Sequence, residues 1–209
     1  MRKSFVAVIV LVYFSILLSG CASPPGTKVP VDFMSSTPGG TVTMRGEPLQ
    51  LTGTPLQVGD PLPESVLIDA FTMKTVDLSR LKGKVLIVSM VPSLDTKVCE
   101  AQTHYLGEQG ARLPAEIARI TVSRDTPFAQ KRFAEEAKLT GITYLSDYRE
   151  GSFGRSTGLL QKQSMLLARA VLVVDKNGIV RYVQVVPELS HLPDMETAFN
   201  RAEGLLAGK

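Results

Sequence analysis

Cysteine is scarce in this chain: 209 residues hold two, Cys21 and Cys99, together with no tryptophan and only two histidines. Cysteines so far apart form no Cys-x-x-Cys pair, which excludes a disulfide oxidoreductase working through a vicinal dithiol. His104 and His191 are also far apart in sequence, and no acidic or cysteine cluster has ligand spacing, so no metal site is expected and both read as ordinary polar residues. No serine stands in a nucleophile-elbow sequence, which leaves a hydrolase unsupported. Gly154-Arg155-Ser156-Thr157-Gly158 lacks the Gly-Lys-Ser/Thr ending of a phosphate loop and is predicted to be a plain loop. No motif calls for a cofactor. Charge of one sign is also missing, because the formal +3 includes Arg2 and Lys3 of an amino-terminal leader, without which basic and acidic residues nearly balance. Without a basic patch or interleaved aromatics, nucleic acid is not a partner.

Long apolar runs are limited to one. After Arg2 and Lys3, residues 5–18 are apolar over about fourteen positions, short of the roughly twenty that a spanning helix needs. Small residues Ser19 and Gly20 then precede Cys21, the three-part layout of a secretory signal peptide over residues 1–20. Leu18-Ser19-Gly20-Cys21 resembles the lipobox of bacterial lipoproteins. That resemblance implies cleavage before Cys21, acylation of its sulfur and of the new amine, and an exported protein tethered to the cell envelope through a lipid anchor. Two acyl signals on one residue make such attachment stable. Ala22 stands where an inner-membrane retention signal would resemble Asp, which points to the outer membrane in a host with two membranes.

Residues 21–40 carry Pro24, Pro25, Pro30 and Pro38 among Gly, Ser and Thr, a composition predicted to form a flexible tether. A domain is expected over residues 41–209. Residues 41–44 and 49–52 alternate apolar with polar around Arg45-Gly46-Glu47-Pro48, predicting an amino-terminal β-hairpin, and residues 66–70 a further strand. Residues 85–91 are almost continuously apolar, as a strand covered on both faces would be. Residues 117–122 and 170–174 have the same character, and Asn177-Gly178 predicts a tight hairpin into residues 179–186. Helical periodicity covers residues 101–107, 127–139 and 195–206, with Thr126-Pro127 a good helix start. The order is that of an α/β fold, a central mixed sheet flanked by helices.

With Cys21 assigned to lipid, Cys99 is a single thiol in an oxidising compartment, where unpaired thiols are usually avoided. It follows the central strand across a short loop and opens a helical stretch, so its sulfur is expected in a first helical turn. Unpaired backbone N–H groups and the helix dipole there favour thiolate, the nucleophilic form. A buried, inert cysteine is the plainer alternative for any lone thiol. Pro92, Thr96 and Cys99 stand in the spacing P-x-x-x-T-x-x-C, which resembles the active-site motif of peroxiredoxins, a family of thioredoxin-like fold. The resemblance narrows to thiol peroxidases through the 45–48 hairpin, residues 91–99, residues 125–133, residues 145–149 and residues 168–171, and covers residues 41–209.

That resemblance implies a thiol-dependent peroxidase acting on hydrogen peroxide and organic hydroperoxides. It makes Cys99 the peroxidatic nucleophile, with Pro92 shielding the sulfur, Thr96 hydrogen-bonding sulfur and peroxide, and Arg169 supplying the fixed positive charge. A surface arginine at a strand end is the alternative for Arg169, and an exposed arginine for Arg149, which the resemblance places near the site's edge or a dimer contact. Subfamily members usually carry a resolving cysteine after the Arg-Phe of the Pro-Phe-Ala-Gln helix; this chain has Ala134. Residues 158–169 are also about three residues shorter than the family pattern. A one-cysteine cycle with an external thiol reductant, a thioredoxin-like protein or small thiol, follows from the missing cysteine. The competing reading is a redox sensor or binding module with little turnover. The family also implies a homodimer.

Overall fold

The computed structural model describes residues 29–207. The leader, the lipobox with Cys21 and the start of the tether lie outside the described residues. Twelve strands and four α-helices follow in chain order among the described residues. The first strands are β1 (Val31–Asp32), β2 (Thr41–Met44), β3 (Glu47–Thr52), β4 (Leu67–Asp69), β5 (Thr75–Val76) and β6 (Val85–Met90). Helix α1 (Lys97–Glu108) leads to β7 (Ile117–Ser123), and α2 (Pro127–Ala137) to β8 (Ile142–Ser146). The chain closes through α3 (Ser152–Thr157), β9 (Leu160–Gln161), β10 (Ala170–Val174), β11 (Val180–Val185), β12 (Leu192–Pro193) and α4 (Met195–Leu206).

The main sheet has seven strands in the order β11-β10-β6-β7-β8-β4-β5. Strands β6, β7 and β8 are parallel, connected through α1 and α2, and β10 runs antiparallel against β6. The apolar run of β6 is explained by cover on both faces. Val85 and Ile87 pack with Leu106 of α1 and Phe199 of α4, while Leu86, Val88 and Met90 face the second cluster under the hairpin. Strands β2 and β3 form that hairpin, with Arg45 and Gly46 both at positive φ (53° and 84°), the mirror-image two-residue turn that matches strand twist. The turn is therefore tighter than the four residues of the sequence prediction, and Glu47 and Pro48 belong to β3. At the β10–β11 hairpin only Gly178 takes positive φ, and a register shift at Val173/Val174 absorbs the extra residue.

Two expectations need correction. Residues 152–157 are helical rather than a loop: α3 is a short helix bracketed by left-handed Gly151 and Gly158, and the buried Asp147 carboxylate receives the first-turn N–H groups of Phe153 and Gly154. Six residues between glycines are too few to show helical periodicity. The tether also ends earlier than residue 40. Strand β11 is an edge of the main sheet, and residues 32–36 cover its end at Gln184 and Val185. Ser36 N–H donates to Val185 O at 2.8 Å, Val185 N–H to Ser35 Oγ at 3.0 Å, and the Gln184 amide to Asp32 O at 2.6 Å. Strand β1 pairs in parallel with β12, Leu192 N–H reaching Pro30 O at 2.7 Å, and Gly39 N–H reaches Gly158 O. Proline-rich, serine-rich composition serves a strap over a sheet edge as well as a free linker, because neither buries a periodic apolar face.

A chain starting at Val29 should melt roughly 5–10 °C above one starting at Thr41, since the strap makes several hydrogen bonds of roughly 0.5–1.5 kcal/mol each. Calorimetry of the two chains checks this, and equal melting temperatures would return the strap to the status of a tether.

Candidate active site

Helix α1 starts where β6 ends, and Cys99 is its third residue, 1 % exposed. The N-cap is Thr96, in extended conformation, but its side chain makes no capping bond. Its hydroxyl donates instead to Ser93 O at 3.0 Å. This corrects the expectation that Thr96 hydrogen-bonds the sulfur: it has one O–H, and a backbone carbonyl of the preceding loop holds it. The consequence is an uncapped first turn whose N–H groups and positive dipole end act on the side chains of that turn, Cys99 among them.

Arg169, at the entrance to β10, is the partner of the sulfur. It is 2 % exposed, not a surface residue, and every edge of its guanidinium is bonded. Nη2 lies 3.3 Å from Cys99 Sγ, Nη1 donates to Gln102 Oε1 at 2.8 Å, and Nε donates to Leu189 O at 3.0 Å. A buried cation is tolerated only when so completely satisfied. Gln102, one turn after Cys99 and itself fully buried, is fixed in turn by its amide donating to Ser89 Oγ at 2.8 Å. Together these contacts place an anion-compensating fork against one sulfur, an arrangement suited to a thiolate that attacks an electrophilic oxygen and to the charge that oxygen's leaving group develops.

The loop bearing Pro92 is held by Asp125. Its carboxylate accepts from Ser93 Oγ at 2.7 Å, Leu94 N–H at 2.8 Å and Ser123 Oγ at 2.7 Å, and its backbone carbonyl accepts from Ser146 Oγ. Pro92 is buried at the strand end, one residue from Val91, whose N–H bonds Val122 O. The carbonyl that receives Arg169 is fixed from the other side. Glu188, next to Leu189, accepts Thr43 Oγ1 at 2.8 Å, the N–H groups of Arg45 and Gly46 at 2.8 and 3.1 Å, and Ser190 Oγ at 2.7 Å. Burial alone would raise the Glu188 carboxyl, but these bonds outweigh it and bring its pKa down to about 2. The amino-terminal hairpin thus grips the segment that orients the arginine.

Ala134 of α2 belongs to the same apolar cluster as Cys99, with Ala70, Val91, Leu94 and Tyr144. Arg149 is exposed, His104 bonds Glu108 on the surface of α1, and His191 bonds Asp32. No group of three His, Cys, Asp or Glu side chains among the described residues is placed to hold a metal. Sequence reasoning missed Gln102, Asp125 and Glu188 as parts of the site. Gln102 left a trace, a polar side chain three residues after Cys99 on the stripe that continues to buried Leu106; Glu188 left none.

The Redoxin family matches residues 57–199 of the chain. A thiol peroxidase of Halalkalibacterium halodurans is 42% identical over 79% of this chain and 99% of its own length. A thiol peroxidase of Bacillus subtilis is 39% identical over 79% of this chain and 98% of its own. Among solved structures, a peroxiredoxin-like protein from Aquifex aeolicus superposes with a TM-score of 0.74 at 37% identity, covering 79% of this chain and 96% of its own. The thioredoxin-like arrangement expected from the motifs is therefore the fold.

The charge of Glu188 sets a pH test. Its folded pKa lies below the ordinary 4.5, so its stabilisation is complete above about 4.5 and is lost as pH falls towards about 2. Glu188→Gln should melt below wild type at pH 7, with the gap closing between those values; a gap unchanged at pH 2 would assign the effect to shape rather than charge.

Proposed function

The chain belongs to the thiol peroxidase branch of the Redoxin family, and on that premise we propose an exported, lipid-anchored, thiol-dependent peroxidase that runs a one-cysteine cycle at Cys99. The observation that carries the assignment of residues is the 3.3 Å approach of Arg169 Nη2 to Cys99 Sγ at the opening of α1. In the first step the thiolate attacks the distal oxygen of a hydroperoxide. The S–O bond forms as the O–O bond breaks, leaving the sulfenic acid, and the departing alkoxide or hydroxide takes a proton to become alcohol or water. Arg169 places its positive charge against the sulfur and orients it, the uncapped turn adds the helix dipole, and Pro92 limits water at the strand end. Thr96 sets the loop through Ser93 and keeps oxygen lone pairs that can accept from the O–H of an incoming hydroperoxide.

The second half requires help from outside. Ala134 stands where the resemblance places a resolving thiol, and Cys99 is the free cysteine of the described residues. An external thiol therefore condenses with the sulfenic acid, releasing water and leaving a mixed disulfide. A second thiol then displaces Cys99 and carries the disulfide away. With the sulfur almost wholly buried, the first turn of α1 must open to admit either thiol. A sulfenate that waits for an encounter is open to a second peroxide and to sulfinic acid. The export reading rests on residues 1–21 of the sequence, and a homodimer on the family.

Stopped-flow consumption of hydrogen peroxide under a supplied dithiol tests the cycle. Wild type should turn over, Cys99→Ser should not, and Arg169→Met should react roughly 10²–10³-fold more slowly with its fold retained. Oxidation of Cys99 without turnover would instead favour a sensor that keeps the family frame. Ala134→Cys, returning a thiol to the apolar cluster around Cys99, should cut the sulfinic acid found by mass spectrometry after excess peroxide; equal over-oxidation in both chains would mean that residue 134 cannot reach the sulfur even when α1 opens.

A further inference from the structure

The strap over the sheet edge has its polarity reversed. Asp32 faces the body of the protein, where its carboxylate meets His191 Nδ1 at 3.1 Å, while its neighbours Val31 and Phe33 face outward. An ordinary half-buried strand does the opposite, apolar in and polar out. Phe33 is 78% exposed and Met34 beside it is exposed as well. Val31 and Phe33 edge a hollow of about 230 Å³ whose other apolar walls are Tyr105, Leu192, Pro193 and Met195. The carboxylates at its rim are already engaged. Glu196 is bonded to Tyr105 Oη and Arg112 Nη2, both at 2.5 Å, and Asp194 caps α4 through Thr197. This face therefore offers apolar side chains with no unpaired negative charge.

The position of the patch says what covers it. Phe33 lies four residues beyond Val29, the first described residue, and Val29 lies eight beyond Cys21, so the intervening chain reaches at most roughly 28 Å. An anchor at Cys21 holds the face that bears Val29 towards the bilayer, and that is the face with the inverted strand. We infer that Val31, Phe33 and Met34 form a second, weak membrane contact, lying in the boundary between headgroups and acyl chains, so that the lipid anchor fixes the orientation of the domain as well as its location. This rests on the lipid-anchor reading above. It does not require that Cys99 be catalytic. Apolar side chains at an interface bind only marginally by themselves, so beside a stable lipid anchor they orient the domain rather than attach it.

The absence of tryptophan makes the contact directly readable. Full-length chains carrying Phe33→Trp or, as a reference on α2, Phe128→Trp (72% exposed in the native protein) would be purified from membranes and reconstituted into phosphatidylethanolamine–phosphatidylglycerol vesicles containing brominated phosphatidylcholine. Tryptophan at 33 should be blue-shifted and quenched at least threefold more than tryptophan at 128, and Val31→Glu should abolish the difference. Equal quenching at the two positions would overturn the inference. So would a blue shift at 33 that appears without lipid and grows with protein concentration, since a second copy would then be the occupant. Mass spectrometry of the amino-terminal peptide reads acylation of Cys21 separately. An unacylated chain with quenching at 33 would remove the anchor reading and keep the contact, whereas an acylated chain without it would do the reverse.

Discussion

The approach of a buried guanidinium to a buried sulfur is the constraint around which the rest of this molecule is arranged. Leaving such a cation in the interior without partners would be prohibitive, so its three edges must all be matched: by the sulfur, by an amide and by a backbone carbonyl. Those partners come from distant parts of the chain. Gln102 is 67 residues from Arg169 in sequence and Cys99 is 70, and they approach only because β10 lies beside β6, whose end launches α1. The antiparallel pairing of β10 with β6 is thus both a packing solution and the device that brings charge to the thiol.

Support for the pair reaches outward in two directions. Asp125 closes the loop ahead of α1, tying the ends of β6 and β7 together through Ser93, Leu94 and Ser123. Glu188 closes the opposite side, tying the turn at Arg45 and Gly46 to the carbonyl at Leu189. The hairpin is therefore more than an ornament at the amino terminus, because its two left-handed turn residues direct their N–H groups at a carboxylate that neighbours the arginine's acceptor. Two polar atoms in this region go unmatched, Gln130 Oε1 and the Tyr144 hydroxyl; the latter is buried in the cluster of Cys99, and its pKa is pushed up to about 12 by that burial.

How much of this could be read from the sequence depends on the range of the interaction. The apolar runs that became β6 and β10 were legible because burial on both faces leaves almost no polar positions to interrupt them, and β7 was legible through Ile117, Ile120 and Val122 despite Arg119 and Thr121. Cys99 and Pro92 were legible because a strand end, a loop and a helix start are contiguous, so their relation is local. Arg169 stood out as a charge at the mouth of an apolar strand. Thr96 was assigned to sulfur and peroxide through the family motif, and a motif does not say which of two nearby acceptors a hydroxyl donates to. Glu188 contacts the hairpin 143 residues away, and nothing near it in sequence announces that. Helix α3 and the strap were misread for a different reason: glycine, proline and serine mark loops by default, and only the neighbouring structure shows when such a segment is held.

Loss of the second thiol changes what the architecture must do. With a cysteine in α2, opening of the first turn of α1 would be answered within the same chain, and exposure of the sulfenic acid would be brief. Ala134 keeps the apolar cluster filled at nearly the same volume as a cysteine would, so the closed form is preserved while the answer is moved to another molecule. On the one-cysteine cycle proposed above, the lifetime of the open, oxidised form is set by encounter with an external thiol. On that cycle the closed site that admits the first peroxide admits a second by the same route, so the rate at which α1 opens to an external thiol sets how long the sulfenic acid stays exposed to over-oxidation.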